Sequence, residues 1–410
     1  MHVSSAALTN ASLIAGYVVF LGSYLVFALG KFPGMKIDRP GAAIIGAVLM
    51  FAFRIVQPGD AARFIDYGTL VLLFSMMLIV ANLHLVGFFD AVAEVAIERL
   101  GARHLLPAVI FTSGVLSAFF VNDIICLVMV PFVLHMTRRM GLSPLAYLLA
   151  VATGSNIGSV ASITGNPQNM LIGSVSGIHY PVFLAHLGPV ALVGLFLDWA
   201  ILHWLFPYAE HAPAVTRETH PPRRRSLKTG VVVLGVLLGL LAGLPPALVS
   251  TVGAAILLMT RTLDPHLVYD EVDWGLLVFF VGLFLIVGGA ENIGLTRYLL
   301  DIAQRWNLHN AVVFTTATAA LSNIVSNVPA VMLLKSAVPG LPNPHQSWLL
   351  IAMASTLAGN LTITGSIANI IVVERARPEV AISFRDYLRV GVPVTLATLA
   401  FGTVWLWWVG

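Results

Sequence analysis

Long apolar runs recur along the whole 410-residue chain, and each is about as long as a membrane crossing. An α-helix needs roughly 20 apolar residues to span about 30 Å of hydrocarbon. The chain is 58% hydrophobic and 10% charged, whereas an ordinary soluble domain carries about 25% charged residues. These runs therefore need lipid around them. The sequence predicts ten spanning segments, at 13–30, 41–56, 68–86, 144–177, 182–206, 229–243, 247–260, 274–292, 347–373 and 386–409.

Two further apolar stretches, 105–138 and 310–338, are interrupted midway by polar residues. The interruptions are Val121-Asn122-Asp123 and Ser326-Asn327-Val328. We expect each stretch to enter and leave on one side of the bilayer as a re-entrant hairpin. Amphipathic stretches at 88–100 and 295–306 predict short helices at the membrane interface. The predicted fold is an all-α polytopic membrane protein with about 10 transmembrane helices and two re-entrant hairpins.

Short motifs recur in the same order in the two halves of the chain. The pairs are Asp66-Tyr67-Gly68 with Asp273-Trp274-Gly275, Leu78-Ile79-Val80 with Leu285-Ile286-Val287, Leu116-Ser117 and Asn122 with Leu321-Ser322 and Asn327, and Ile163-Thr164-Gly165 and Asn169 with Ile363-Thr364-Gly365 and Asn369. Ordered matches at a nearly constant separation indicate a duplicated unit. We therefore predict a first repeat at 1–206, a basic cytoplasmic linker at 207–228 and a second repeat at 229–410.

Each predicted repeat contains one hairpin, at 105–138 or 310–338, and one broken helix, at 144–177 or 347–373. Five crossings per repeat is an odd number, so the second repeat is inverted relative to the first. With this topology, most of the 22 Lys and Arg residues fall on one face, which the positive-inside rule assigns to the cytoplasm. We expect a multi-pass protein of the cell inner (plasma) membrane with both termini outside the cytoplasm. The net charge of +3 is explained by these loops and implies no nucleic-acid partner.

The helix interruptions come in matched pairs, two at the hairpin tips and two in the predicted unwound stretches 154–167 and 359–366. Irregular backbone is tolerated at membrane depth only inside protein or around a watery site, and paired interruptions in two halves point to a transporter binding site. Neutral oxygens suit a hard cation, and half-helix N-termini suit an anion. The alternative is that small residues simply allow close helix packing. The candidate residues are Asn122, Asp123, Ser155, Asn156, Thr164, Gly165, Asn166, Ser326, Asn327, Asn360, Thr364, Gly365 and Ser366.

Asp123 places a carboxylate within an apolar run, where the second repeat has Val328. An intramembrane carboxylate is costly and marks a functional site by default. Asp123 is therefore a candidate proton carrier, or a sodium ligand together with Asn122, Asn156 and Gly165. The alternative is a cap that accepts backbone N–H groups of the second hairpin arm. No cofactor is expected apart from a coupling ion, Na⁺ or H⁺.

Two other features allow more than one interpretation. Asp198, beside Trp199, fits a carboxylate that snorkels to the interface about as well as a proton relay. The run Gly235, Gly239, Gly243 has the spacing of close helix packing, within the chain or in a homodimer.

The motifs resemble the ion transporter superfamily over nearly the whole chain. Phe120-Val121-Asn122-Asp123, with Leu127 and Pro131, resembles the first hairpin of arsenite efflux permeases. The stretch from Ser155 to Ser159, with Gly165-Asn166-Pro167-Gln168-Asn169, is similar to the broken helix of silicon effluxers, and Ser326-Asn327-Val328-Pro329 resembles the second hairpin. The resemblance implies that hairpin tips and broken helices hold substrate and coupling ions, with alternating access by a moving domain.

The same superfamily includes divalent anion:sodium symporters, citrate–metal symporters and sodium/proton antiporters. Its dicarboxylate symporters carry Ser-Asn-Thr at both tips, whereas this chain has Val-Asn-Asp and Ser-Asn-Val. The expected function is ion-coupled transport of a small inorganic or carboxylate anion or oxyacid, specifically arsenite-type efflux by proton antiport. The alternatives are sodium-coupled citrate or dicarboxylate symport and sodium/proton antiport. The sequence has no hydrolase motif of the H-E-x-x-H or G-x-S-x-G type, and an enzyme is not expected.

Overall fold

The structure is a computed structural model that describes residues 10–30, 37–97, 102–207, 227–259 and 263–410. Within these ranges the chain forms twenty α-helices, which are Asn10–Leu29 (α1), Arg39–Ala52 (α2), Ala61–Phe64 (α3), Tyr67–Leu85 (α4), Phe88–Ile97 (α5), Leu105–Phe119 (α6), Asn122–Met140 (α7), Leu145–Ser159 (α8), Pro167–Val175 (α9), Tyr180–Leu205 (α10), Leu227–Leu241 (α11), Pro246–Met259 (α12), Pro265–Asp270 (α13), Trp274–Asn292 (α14), Leu295–Arg305 (α15), Ala311–Val325 (α16), Asn327–Lys335 (α17), Pro344–Ala358 (α18), Ile367–Ala376 (α19) and Phe384–Val409 (α20). The predicted all-α fold is confirmed.

Five described helices, α1, α4, α10, α14 and α20, are long and apolar enough to cross a bilayer. Shorter apolar helices, among them α2, α6, α12 and α16, complete the bundle. Large apolar side chains cover the outside of these helices, as at Leu21 and Trp407, which are 64% and 71% exposed. An apolar outer surface of this kind is stable only in lipid, so the chain is a multi-pass membrane protein. Most of the predicted linker, 208–226, lies outside the described residues.

The second half repeats the helix order of the first, and several equivalent helices have the same length. Helices α4 and α14 each have 19 residues, α6 and α16 each have 15, and α10 and α20 each have 26. The recurring Asp66 and Asp273 are N-caps, whose Oδ1 atoms accept from the Thr69 and Leu276 backbone N–H groups at 2.7 and 2.9 Å. The repeated motif therefore marks the same helix start twice.

The two halves interlock by exchanging partners. Helix α2 packs against α14, and its equivalent α12 packs against α4. The long helices α10 and α20 also pack against each other. Helices of each half thus pack against helices of the other half. The repeat boundaries, the inversion of the second repeat and the sidedness of the loops stay predictions.

The first broken helix starts its break later than predicted. Helix α8 continues through Ser159, so the expectation of unwinding from Gly154 was wrong, and the break covers 160–166. Gly154 and Gly158 instead let α8 lie directly on α6. A Cβ on Gly154 would come within 3.2 Å of the Ile110 carbonyl oxygen, and one on Gly158 would overlap the backbone of Gly114. Close packing explains these two glycines.

The second break and the hairpins follow the predictions more closely. Helix α18 ends at Ala358 and α19 begins at Ile367, with a short 3₁₀ turn at Ile363–Gly365 between them. The first hairpin turns at Phe120 and Val121, so that Asn122 and Asp123 lie in the first turn of α7. The second hairpin is less symmetric, because α17 has only 9 residues against 19 in α7.

Candidate functional site

Each break is bridged by one asparagine side chain. The Asn169 Nδ2 donates to the backbone carbonyls of Ser159 and Ser162, at 3.1 and 3.0 Å. At the equivalent place, the Asn369 Nδ2 donates to the carbonyls of Gly359 and Thr362, at 2.7 and 3.1 Å. These amides satisfy carbonyls that the missing helical turns leave free. Neither asparagine was among the predicted site residues, although both belong to the repeated Ile-Thr-Gly motifs.

Asn156, on the last turn of α8, is the centre of a polar network that joins the two halves. It is 1% exposed. Its Nδ2 donates to the Oδ1 atoms of Asn360 and Asn369, both at 2.9 Å. Its Oδ1 accepts from Asn122 Nδ2 at 2.9 Å and from Ser366 Oγ at 3.0 Å. Both hydrogens and both lone pairs of the amide are therefore used. We call these five residues the asparagine hub.

A second contact mirrors the hub across the repeat. Ser366 bonds Asn156, and its equivalent Asn166 donates from Nδ2 to Thr356 Oγ1, at 3.2 Å. Thr356 also accepts from Gln168 Nε2 at 3.2 Å. The residue before α19 is thus bonded to α8, and the residue before α9 is bonded to α18. Asn156 and Thr356 occupy equivalent positions in the two halves. Asn156 bonds three asparagine amides, whereas Thr356 bonds the side-chain amides of Asn166 and Gln168 only, among the described residues.

The tip of the first hairpin is fixed to the first break. The Asn122 backbone N–H donates to the Gly165 carbonyl at 3.0 Å. Thr164 Oγ1 donates to the Phe119 carbonyl at 3.1 Å and lies 3.1 Å from the Tyr180 hydroxyl. The structure therefore brings Asn122, Thr164 and Gly165, three of the candidate site residues, together.

Asp123 follows directly in the first turn of α7 and is partly buried. Among the described residues, none donates a hydrogen bond to its carboxylate, and the N-terminus of α7 has no side-chain cap. The alternative of a structural cap was therefore wrong. Beside it, Cys126 Sγ lies 3.0 Å from Ser155 Oγ, which ties the predicted site residue Ser155 to α7.

The second hairpin turns on a single residue in a rare backbone conformation. Ser326 has φ 78° and ψ 158°, a region that non-glycine residues seldom adopt and that is found at functional sites. Asn327 follows, and its Oδ1 accepts from Ser322 Oγ at 2.7 Å. Asn323, which the sequence did not single out, donates to the Ala358 carbonyl at 2.9 Å. Thr364 is exposed, and its side chain bonds Thr362 alone among the described residues, so it lies outside the hub.

Several buried side-chain oxygens around the tips have no hydrogen-bond partner in the described part of the chain. They include Ser117 Oγ, Asn122 Oδ1, Asn169 Oδ1 and Asn323 Oδ1. A buried acceptor without a partner costs about 1–3 kcal/mol. Within the described ranges no group of three or more His, Cys, Asp or Glu side chains could hold a metal ion. Neutral oxygens of this kind suit an alkali cation or the hydroxyls of a small oxyacid.

A bundle of paired, broken membrane helices around a buried polar hub defines a secondary transporter. The chain belongs to the CitMHS citrate transporter family, whose model matches residues 24–358. It is a membrane transporter and not an enzyme, and the resemblance to the ion transporter superfamily is confirmed.

Similar proteins support the same class. The silicon efflux transporter LSI3 of rice (Oryza sativa subsp. japonica) is 28% identical over 468 residues, covering 95% of this chain and 96% of its own. A putative transporter arsB of Dictyostelium discoideum is 24% identical and covers 90% and 87%. The crystal structure of the Alcanivorax borkumensis YdaH transporter has the same fold, with a TM-score of 0.59 at 13% identity over 98% of both chains.

Proposed function

We propose that this protein exports a small inorganic oxyacid in exchange for protons, with arsenite as the substrate. The observation that carries the proposal is the neutrality of the asparagine hub. Every hydrogen bond of the hub comes from an Asn amide, a Ser hydroxyl or a backbone group. Amides and hydroxyls suit an uncharged acid such as As(OH)₃, whereas a tricarboxylate calls for Arg or Lys.

Two relatives agree with an oxyacid. LSI3 is named as a silicon efflux transporter and the Dictyostelium protein as a putative arsB transporter. Silicic and arsenous acids are both small, uncharged near neutral pH and rich in hydroxyl groups. A site of neutral donors and acceptors accommodates either acid, and arsenite better matches the arsenite-permease form of the first hairpin, with Asp123 after Asn122.

Asp123 is the proposed proton carrier of this exchange. Its carboxylate has no hydrogen-bond donor among the described residues, and it lies one residue from Asn122, a member of the hub. Protonation removes a charge from the first turn of α7, and deprotonation restores it next to the site. A proton that enters at Asp123 therefore changes the electrostatics that the substrate meets.

Sodium coupling is the second candidate, because buried oxygens near the first tip lack hydrogen-bond partners among the described residues. Of the proposed sodium ligands, Asn122 Oδ1 and the Asp123 carboxylate accept no hydrogen bond from the described part of the chain, and the Gly165 carbonyl already accepts from Asn122. The Asn156 Oδ1 is fully used by the hub. A sodium-coupled citrate or dicarboxylate symporter, or a sodium/proton antiporter, would use this position.

The cellular membrane and the orientation of the chain are proposed from the distribution of Lys and Arg residues between the two faces of the bilayer. We place the protein in the inner (plasma) membrane with both termini outside the cytoplasm. We also propose a homodimer contact through α11. The surface at Gly235 is uncovered there, since a Cβ on this residue would meet nothing within 4 Å.

A ligand screen on the purified protein tests substrate and coupling ion together. Melting temperatures in detergent are compared for arsenite, antimonite, silicate, phosphate, sulfate, citrate and succinate, each with and without sodium. We expect arsenite and antimonite to raise the melting temperature in the absence of sodium, since a ligand that binds only the folded state stabilises it. Stabilisation by citrate or succinate that requires sodium would replace the proposal by the symporter alternative.

A further inference from the structure

A second intramembrane carboxylate, Asp198, lies away from both hairpin tips. It belongs to α10 and is fully buried, with 0% exposure. Seven residues separate it from the end of the helix at Leu205, a distance of about 10 Å at 1.5 Å per residue. A snorkelling side chain keeps its charged group in the headgroup region. The snorkelling interpretation was therefore wrong, and the burial of Asp198 needs another explanation.

If Asp198 is an ionised carboxylate, two acceptors compete for the single hydrogen of the Thr153 hydroxyl. Thr153 Oγ1 lies 2.9 Å from Asp198 Oδ2 and 2.9 Å from the Leu149 carbonyl oxygen. A hydroxyl has only one hydrogen, so it makes a full hydrogen bond to one of these acceptors at a time. Both contacts are satisfied if Asp198 itself carries a proton and donates it to Thr153, which then donates to Leu149.

The surroundings also disfavour a charge. Asp198 Oδ1 has no partner among the described residues, and no Lys, Arg or His there forms an ion pair with this residue. Of the helices packed on α10, α6 has no titratable side chain, α8 has Tyr147, α11 has Lys228 and α18 has His345. From α20, Tyr387 is buried, Asp386 is half-buried and forms a capping box with Ser383, and Arg385 and Arg389 are exposed. An unpaired buried carboxylate is far more expensive than a protonated carboxyl.

Asp198 is connected to the asparagine hub through Thr153. The Thr153 backbone carbonyl accepts from Asn360 Nδ2 at 3.2 Å, and Asn360 Oδ1 accepts from Asn156. When the carboxyl loses its proton, the Thr153 hydroxyl must turn from Leu149 to the new carboxylate. That change takes place at Thr153, the residue of α8 whose backbone carbonyl binds Asn360 of the hub.

We propose that Asp198 is a second proton-binding site of this transporter, occupied in the described conformation and linked to the hub through Thr153 and Asn360. The proton is bound to Asp198 Oδ2 and is released to water when the site opens. The linkage to transport rests on the proposed function, whereas the presence of the proton does not.

Infrared spectroscopy of the purified protein at neutral pH tests the proposal without any substrate. A protonated carboxyl has a carbonyl stretch that is well separated from the carboxylate bands. We expect such a band in the wild type, its loss in Asp198→Asn and its persistence in Asp123→Asn. Loss of the hydrogen bond in Thr153→Val should shift it. Asn360→Ser should shift it by a smaller amount, through the Thr153 carbonyl.

The controls keep the outcome decisive. Each variant must elute as a single species with a cooperative melting transition. If Asp198→Asn does not fold, the Thr153→Val shift decides, because the valine has nearly the same shape as threonine. A band that survives Asp198→Asn, or that ignores Thr153→Val, overturns the site, and a band that ignores Asn360→Ser overturns its link to the hub. Failure of arsenite transport would overturn the proposed function and leave this spectrum unaffected.

Discussion

Ser366 donates a 3.0 Å hydrogen bond to Asn156, and this bond joins the broken helix of the second half to the intact α8 of the first. The equivalent bond, from Asn166 to Thr356, runs the other way at 3.2 Å. The two breaks are therefore not isolated irregularities, because each is held in place by the opposite half. Any movement that opens one break must change the contacts of the other, as alternating access requires.

Asn156→Ala should strongly destabilise the protein, because it removes the Oδ1 acceptor and the Nδ2 donor through which Asn156 binds the other four residues of the hub. Four buried groups, on Asn122, Asn360, Asn369 and Ser366, lose a partner. At about 1–3 kcal/mol for each of the four unsatisfied buried groups, a total loss of about 4 kcal/mol or more is expected. The melting temperature in detergent measures the effect.

Thr356→Ala is the matched control for that variant at the equivalent position. It removes one acceptor from Asn166 and Gln168, and Asn166 keeps its bond to Ser159 Oγ at 3.0 Å. The expected loss is only about 1 kcal/mol. Equal melting temperatures for the two alanine variants would contradict the central role of Asn156.

Gly158→Ala should impair folding, because the new methyl group would overlap the backbone of Gly114 on α6. Overpacking of this kind costs about 1–3 kcal/mol or more. Gly22→Ala in α1 is the control, since its Cβ would meet nothing within 4 Å, and it should gain up to about 1 kcal/mol in helix propensity. Size-exclusion profiles and melting temperatures check both, and a stable Gly158→Ala would mean that α6 and α8 are not in direct contact.

The sequence predicts much of this fold because its strongest signals are local. The recurring Asp66 and Asp273 mark equivalent helix starts, and each acts as an N-cap in the structure. Apolar runs and paired polar interruptions then give the order of helices and both hairpin turns. Asn122 and Asp123 were located within two residues of the true turn, because a polar residue in an apolar run is conspicuous.

The remaining features depend on contacts that no local pattern contains. Glycine and small polar residues occur both where a helix unwinds and where it packs closely, so Gly154 and Gly158 were placed in a break although they are helical. The pairing of Asn156 with Asn360 joins residues 204 positions apart. Asp198 lies on an apolar helix, and only its neighbours decide whether it faces lipid or the protein interior.

Cys126 should resist modification in the folded protein. It is buried, with 0% exposure, and its Sγ lies 3.0 Å from Ser155 Oγ between α7 and α8. We expect N-ethylmaleimide to label it only after denaturation in SDS, since both access and thiolate formation are restricted. A Glu379→Cys variant in a Cys126→Ser background, whose new thiol is exposed, should label readily. Rapid labelling of native Cys126 would contradict the packing of α7 on α8.

Glu379→Gln should have a small effect that depends on salt. Glu379 pairs with Arg138 at the end of α7, and the two side chains are 41% and 48% exposed. Exposed ion pairs contribute up to about 1 kcal/mol and are screened by salt. The loss in melting temperature should therefore shrink at high ionic strength. Glu374→Gln, which removes a local pair with Arg377, is the control, and a salt-independent loss would exclude a simple surface pair.

Proton-driven arsenite flux in proteoliposomes tests the central claim most directly. A pH gradient is imposed without sodium, and arsenite movement is compared for the wild type and Asp123→Asn. We predict that the gradient drives arsenite across the membrane in the wild type, and that the variant loses most of this drive, because its side chain at position 123 cannot exchange a proton and only Asp198 remains. An Asp123→Asn protein whose arsenite flux follows the pH gradient as strongly as that of the wild type, or a wild type that moves arsenite only when sodium is present, would contradict the account.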